Sequence, residues 1–80
     1  MAVNELERDF MSILHECDMI ESIIAGLKMD EATDAEKKQL VGNIVMKLEM
    51  DMLDDKWVTA GKDCTRVNEV IAAGRTYWKA

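Results

Sequence analysis

The 80-residue sequence contains no proline and only four glycines, so few positions interrupt a regular backbone. Proline breaks helix interiors and glycine weakens them, and the scarcity of both favours long helices. No stretch approaches the ~20 apolar residues of a membrane span. The N-terminus is acidic and lacks the continuous apolar run of a signal peptide. These absences predict a cytoplasmic protein that does not enter a membrane.

Positive charge is in deficit, with ten Lys and Arg against 16 Asp and Glu and a net charge of −6. Residues 1–36 carry ten of the acids and only two bases. Binding to nucleic acid or to an anionic membrane depends largely on Lys and Arg that neutralise phosphates. The charge therefore disfavours both as direct ligands, and it places the acidity on the first helix and the loop that follows.

The composition is that of a folded helical chain. Apolar residues make up 49% of it, more than disordered segments contain. Hydrophobic spacing predicts helices over about residues 4–29, 34–54 and 60–79 of one domain. We expect an all-α fold, either a small three-helix bundle or a helical hairpin plus a third helix. A chain this short has a thin stability margin, so completion of the core by homodimerisation is a reasonable expectation.

The first helix carries apolar residues at alternating spacings of three and four, which is the pattern of a heptad seam. The seam consists of Val3, Leu6, Phe10, Ile13, Cys17, Ile20, Ile24 and Leu27. A symmetric coiled-coil dimer through this seam is the main alternative to a bundle. Asn4 is a good N-cap for the helix. The acids Glu5, Asp9, Glu16 and Asp18 are predicted to form an acidic surface on it.

The second helix has two apolar stripes. It begins with a capping box formed by Thr33 and Glu36. The stripe expected to face the core consists of Leu40, Val41, Ile44, Val45, Leu48 and Met52. The second, centred roughly 180° away at 100° per residue, consists of Met46, Met50, Leu53 and Trp57.

This second stripe is predicted to bind a partner, with Trp57 as its anchor, because an apolar line on the far side of a packed helix is left in water. Two other arrangements are the alternatives to a four-residue binding stripe. The third helix could cross that side, or the second helix could end before Trp57 and leave a stripe of three residues.

The third helix follows a break predicted between Asp54 and Asp63. Its seam consists of Ala60, Cys64, Val67, Ile71, Gly74 and Trp78. The small residues Ala60 and Gly74 would let a neighbouring helix come close.

No residue pattern predicts catalysis, a metal or a cofactor. Ser12, His15 and Asp18 share one helix face, but neighbours on one exposed helix cannot enclose a substrate. His15 and Cys17 diverge by about 200° on a helix, so they cannot hold one zinc ion. The acids around Asp51 lack a second carboxylate-rich helix to complete a cation site. Cys17 and Cys64 are expected to be buried thiols rather than a disulfide.

The favoured function is that of a small, non-enzymatic accessory protein that binds another protein as an adaptor, chaperone or inhibitor. The second stripe would supply the contact, and the acidic face of the first helix would approach a basic surface on the partner. The alternative is a structural homo-oligomer whose surfaces serve only self-assembly.

Overall fold

The computed structural model describes residues 4–80, and within this range the chain is helical with no strands. The helices are α1 (Glu5–Ile24), α2 (Asp34–Asp51), the one-turn α3 (Lys56–Thr59) and α4 (Thr65–Lys79). The prediction of an all-α fold built as a small helical bundle is confirmed. Val3, the first residue of the predicted seam, lies outside the described residues.

The inward face of α1 follows the predicted seam for most of its length. Phe10, Ile13, Cys17 and Ile20 are buried, but the next core residue is Ile23, and Ile24 is exposed. A straight α-helix has 3.6 residues per turn, so a strict heptad pattern drifts by about 20° per repeat. From Phe10 to Ile24 the drift is only about 40°, less than the 100° between neighbouring residues, so the exchange of Ile24 for Ile23 belongs to the packing at the end of α1 rather than to the heptad pattern.

The first helix ends at Ile24, five residues before the predicted end at residue 29. The cause is Gly26, which takes the left-handed conformation with φ of 76°. The Gly26 N–H donates to the Ile23 carbonyl at 3.1 Å, and the Leu27 N–H donates to the Ser22 carbonyl at 2.9 Å. This hydrogen-bond pattern is a Schellman motif, which closes a helix. Leu27, predicted as a seam residue, is therefore exposed.

The predicted start of α2 is confirmed. The Glu36 N–H donates to the Thr33 hydroxyl at 3.1 Å, and the Thr33 N–H donates to the Glu36 carboxylate at 3.0 Å. The core stripe is confirmed as well, with Val41, Val45 and Leu48 fully buried. The helix ends at Asp51, three residues earlier than predicted.

The predicted third helix over residues 60–79 is wrong at its start. The one-turn α3 ends at Thr59, and a second Schellman motif around Gly61, with φ of 78°, separates it from α4. Ala60 is exposed at the end of α3 and takes no part in the α4 seam. The Thr65 N–H donates to the Asp63 carboxylate at 3.0 Å at the entry to α4.

Helices α2 and α4 pack closely at Gly74. A Cβ atom added to Gly74 would lie 2.5 Å from Cγ2 of Val45, so the Val45 side chain occupies space that only a glycine leaves free. Four residues further along α4, the Trp78 ring covers Gly42 of α2. A Cβ atom added to Gly42 would lie 3.1 Å from Cδ2 of that ring. The pairs Val45 with Gly74 and Gly42 with Trp78 show that α2 and α4 run antiparallel. The predicted close approach at Gly74 is confirmed.

A single cluster of apolar side chains joins the four helices. It consists of Phe10, Ile13, Cys17, Ile20, Ile23, Val41, Val45, Leu48, Trp57, Val67, Val70 and Ile71. No polar or charged side chain is buried among the described residues. The charged side chains that connect the helices therefore lie on the surface.

We predict that Gly74→Ala lowers the free energy of unfolding by about 1–2 kcal/mol. Overpacking costs about 1–3 kcal/mol, and the better helix propensity of Ala offsets part of that cost. Urea unfolding followed by circular dichroism measures the change. Gly42→Ala is the matched control, with a smaller expected loss because the half-buried Trp78 ring has room to shift. Equal stability of Gly74→Ala and the unmodified protein would contradict the α2–α4 packing.

Candidate binding surface

Three large apolar side chains stand on the outer face of α2 and its end. Met46 is 59% exposed, Met50 72% and Leu53 84%. Together with Glu49 they line a shallow depression. We call Met46, Met50 and Leu53 the α2 patch. Met46 and Met50 lie one helical turn apart on α2, and Leu53 lies in the turn after its end at Asp51. The shared depression shows that the three side chains form one continuous surface.

Ion pairs to the neighbouring helices border the α2 patch on both sides. On one side Lys47 Nζ lies 2.7 Å from Oε1 of Glu16 in α1 and 2.9 Å from Oδ2 of Asp51. On the other side Arg75 of α4 lies 3.0 Å from Oε1 of Glu49. These contacts pair the charged side chains that border the α2 patch.

Trp57 does not belong to the α2 patch, and its prediction as an exposed anchor is wrong. It is only 3% exposed and packs against Phe10 of α1, with ring centroids 5.5 Å apart. Its indole N–H donates to the carbonyl oxygen of Asp51 at 2.9 Å. Because α2 ends at Asp51, the chain turns inward before Trp57. The observed arrangement is thus the alternative in which the stripe holds three residues.

The predicted acidic surface of α1 is divided. Glu5 and Asp9 are exposed. Glu16 is half-buried in the ion pair with Lys47, and Asp18 shares Arg66 of α4 with Glu21. The hydrogen bond from Arg66 holds the pKa of Asp18 below its usual value. Half of the predicted acidic surface therefore serves contacts between helices.

Sequence reasoning missed a second acidic region, next to the α2 patch. Glu49, Asp51, Asp54 and Asp55 lie between Leu48 and Lys56 with no basic residue among them. The last turn of α2 also has no base, so nothing in that turn compensates the negative end of the helix dipole. The sequence carries the signal for this region as four acids within the seven residues from Glu49 to Asp55.

Potential catalytic and metal-binding side chains are not brought together. Cys17 is fully buried, and burial raises the pKa of its thiol, which disfavours the reactive thiolate. Cys64 is half-buried, and neither cysteine forms a disulfide. Ser12, His15 and Asp18 are all exposed. Across residues 4–80, no group of three or more His, Cys, Asp or Glu is placed to hold a metal ion.

A polar groove of about 310 Å³ lies between α1 and the end of α2. It is lined by Asp9, Ser12, Ile13, Lys47, Asp51, Lys56 and Trp57. Lys47 and Asp51 pair with each other there, and the Lys56 ammonium lies 4.6 Å from the Trp57 ring centroid. Most of the charge in this groove is therefore already engaged.

Comparisons with protein-family models, with curated proteins and with solved structures found no match to this chain. None of the helices within residues 4–80 is both long and apolar enough to cross a bilayer. The α2 patch and its surroundings are therefore interpreted from their physical chemistry.

We predict that Trp57→Ala lowers the free energy of unfolding by about 3–5 kcal/mol, the usual cost of removing a buried large aromatic side chain. Urea unfolding measures the loss. Leu53→Ala, only four residues away but exposed, is the control and should change stability by less than about 0.5 kcal/mol. If the two variants were equally stable, Trp57 would not be part of the core.

We also predict a pH-dependent effect of Arg66→Gln. The pKa of Asp18 is lowered in the folded state, so its contribution to stability is present above the unfolded pKa and is lost as the pH falls through the folded pKa. Arg66→Gln should therefore be less stable than the unmodified protein at neutral pH. The difference should shrink below about pH 3.9, the ordinary pKa of Asp.

Urea midpoints measured at neutral and acidic pH test this prediction. Arg8→Gln is the control, since Arg8 forms no ion pair within residues 4–80. A deficit of Arg66→Gln that persisted unchanged in acid would mean that lost packing of the arginine side chain, rather than its charge, causes the effect.

Proposed function

We propose that this protein is a small, non-enzymatic binding module that contacts another protein through the α2 patch. The observation that carries the proposal is the exposure of Met46 and Met50 on consecutive turns of α2 and of Leu53 just past its end, where the three side chains line one depression. Single exposed apolar residues are normal on protein surfaces. A contiguous group is typical of an interaction site.

The core does not need these three residues. The inner face of α2 is already buried through Val41, Val45 and Leu48. Burial of apolar surface contributes about 25 cal/mol per Å². A partner that covered the α2 patch would therefore gain the free energy of burying apolar surface that folding leaves exposed. The patch is thus available to an external surface without any rearrangement of the bundle.

The composition and borders of the patch support the same proposal. Interfaces commonly have an apolar centre and a polar rim. Here the ion pair of Lys47 with Glu16 and that of Glu49 with Arg75 form such a rim. Methionine is flexible and polarisable, and it adapts to irregular partner surfaces. Adaptor, chaperone and inhibitor proteins all use surfaces of this kind.

Charge and cysteine chemistry complete the proposal. The net charge of −6 favours a partner with a basic surface, and exposed acids such as Glu5 and Asp9 extend the field that would steer it. The proposed location is the cytoplasm, where thiols such as those of Cys17 and Cys64 stay reduced. The module is proposed to be non-enzymatic because Cys17 is fully buried with a raised pKa and because Ser12, His15 and Asp18 are exposed on one helix face.

We predict that a photo-reactive residue in place of Met50 crosslinks to a different protein in an extract of the organism of origin. The same residue in place of Met11, which is 65% exposed on α1, is the matched control and should not give that product. Mass spectrometry identifies the products. Sedimentation over a dilution series should show a monomer when the partner is absent.

Two outcomes would contradict the proposed function. Crosslinks from position 50 that join only two copies of this chain, together with a dimer that persists on dilution, would favour the homo-oligomer. Identical products from positions 50 and 11 would mean that the α2 patch has no selective partner.

A further inference from the structure

We propose that the partner segment is a cationic amphipathic helix. Its apolar face would cover Met46, Met50 and Leu53, and its Lys or Arg side chains would face Asp54 and Asp55. This inference rests on the proposed function, because it specifies the chemistry of what the α2 patch binds.

The shape of the patch favours a helix over other binding segments. Met46 and Met50 form a ridge about 6 Å long, at 1.5 Å per residue, which matches the spacing of one turn on a facing helix. Leu53 extends this apolar surface past the end of α2. Binding of an extended strand requires an open sheet edge, and residues 4–80 contain no strand. Binding of a proline-rich segment requires an exposed aromatic groove, and Trp57 is buried.

The acids at the end of the patch determine the sign of the partner's charge. Glu49 and Asp51 are paired with Arg75 and Lys47. Asp54 accepts a hydrogen bond from the Lys56 N–H at 2.9 Å, and its nearest ammonium, that of Lys56, lies 4.0 Å away.

The Asp55 side chain does not cap α3, and it forms no ion pair within residues 4–80. The carbonyl end of α2 adds negative potential beside it. Asp54 and Asp55 follow Leu53 directly in the chain and are both exposed, so their carboxylates are available to a ligand that extends past Leu53.

The same charges disfavour a second copy of this chain on the patch. Two copies would each carry −6 and would bring their acidic ends of α2 into one interface. Like charges close together across an interface oppose association. A cationic helix gains from the same field, and its affinity should fall as salt screens the attraction.

The test is a titration of the full-length protein with a labelled synthetic helix of Leu and Lys, followed by fluorescence anisotropy at low and high salt. One matched peptide replaces Lys with Glu. A second keeps the Leu and Lys composition but scatters the leucines around the helix. We expect the amphipathic Leu and Lys peptide to bind, more tightly at low salt, and both matched peptides to bind at least about tenfold more weakly.

Variants of the protein locate the contact. The neutral double variant Met46→Gln/Met50→Gln should weaken binding by about tenfold, whereas Met11→Gln should leave it unchanged. Asp54→Asn/Asp55→Asn should weaken binding severalfold and reduce its dependence on salt. Circular dichroism verifies that each variant keeps its helix content.

Several results would overturn the inference. Equal binding of the Glu peptide would remove the charge preference, and equal binding of the scattered peptide would show adsorption by charge alone. Full binding by Met46→Gln/Met50→Gln, or an equal loss from Met11→Gln, would place the contact elsewhere. If no peptide binds but position 50 still crosslinks to another protein, the cationic helix is wrong and the proposed function stands. If position 50 crosslinks only to a second copy, the proposed function itself is wrong.

Discussion

The approach of α4 to α2 at Gly74 and Val45 is the constraint on which the rest of the structure depends. The missing Cβ of Gly74 lets Val45 enter the surface of α4, and this contact fixes the rotation of α2 about its own axis. Once Val41, Val45 and Leu48 face the core, Met46 and Met50 lie roughly 100–180° from them around the helix and face outward. The exposed patch is therefore a consequence of how the core closes.

Local patterns in the sequence predicted much of this architecture. The capping box at Thr33, the two stripes of α2 and the role of Gly74 all follow from residue types at fixed spacings. The ends of the helices were predicted less well, although Gly26 and Gly61 are typical helix terminators. The apolar periodicity continues through both glycines. Spacing alone therefore extends each predicted helix past the glycine turn at which the observed helix ends.

The position of Trp57 could not be read from the sequence in the same way. Its spacing from Leu53 continues the outer stripe, and only the end of α2 at Asp51 and the contact with Phe10 of α1 turn it inward. Such tertiary contacts override local periodicity. The ion pairs also depend on tertiary structure. Lys47 with Glu16 and Arg66 with Asp18 join residues 31 and 48 positions apart in the sequence. Composition placed the acids on α1, whereas folding neutralised several of them and left an acidic region at the end of α2.

Both ends of α2 are held in place, by the capping box at Thr33 and by the indole hydrogen bond of Trp57 to Asp51. A partner would therefore find a backbone that needs no ordering, and the entropy lost on binding would come from a few side chains. Restricting a buried methionine costs up to about 1.5–2 kcal/mol, less than ordering the backbone of a disordered segment of several residues. Rigid backbone combined with pliable thioethers gives a surface that requires a particular shape from its partner and tolerates variation in the side chains that it meets.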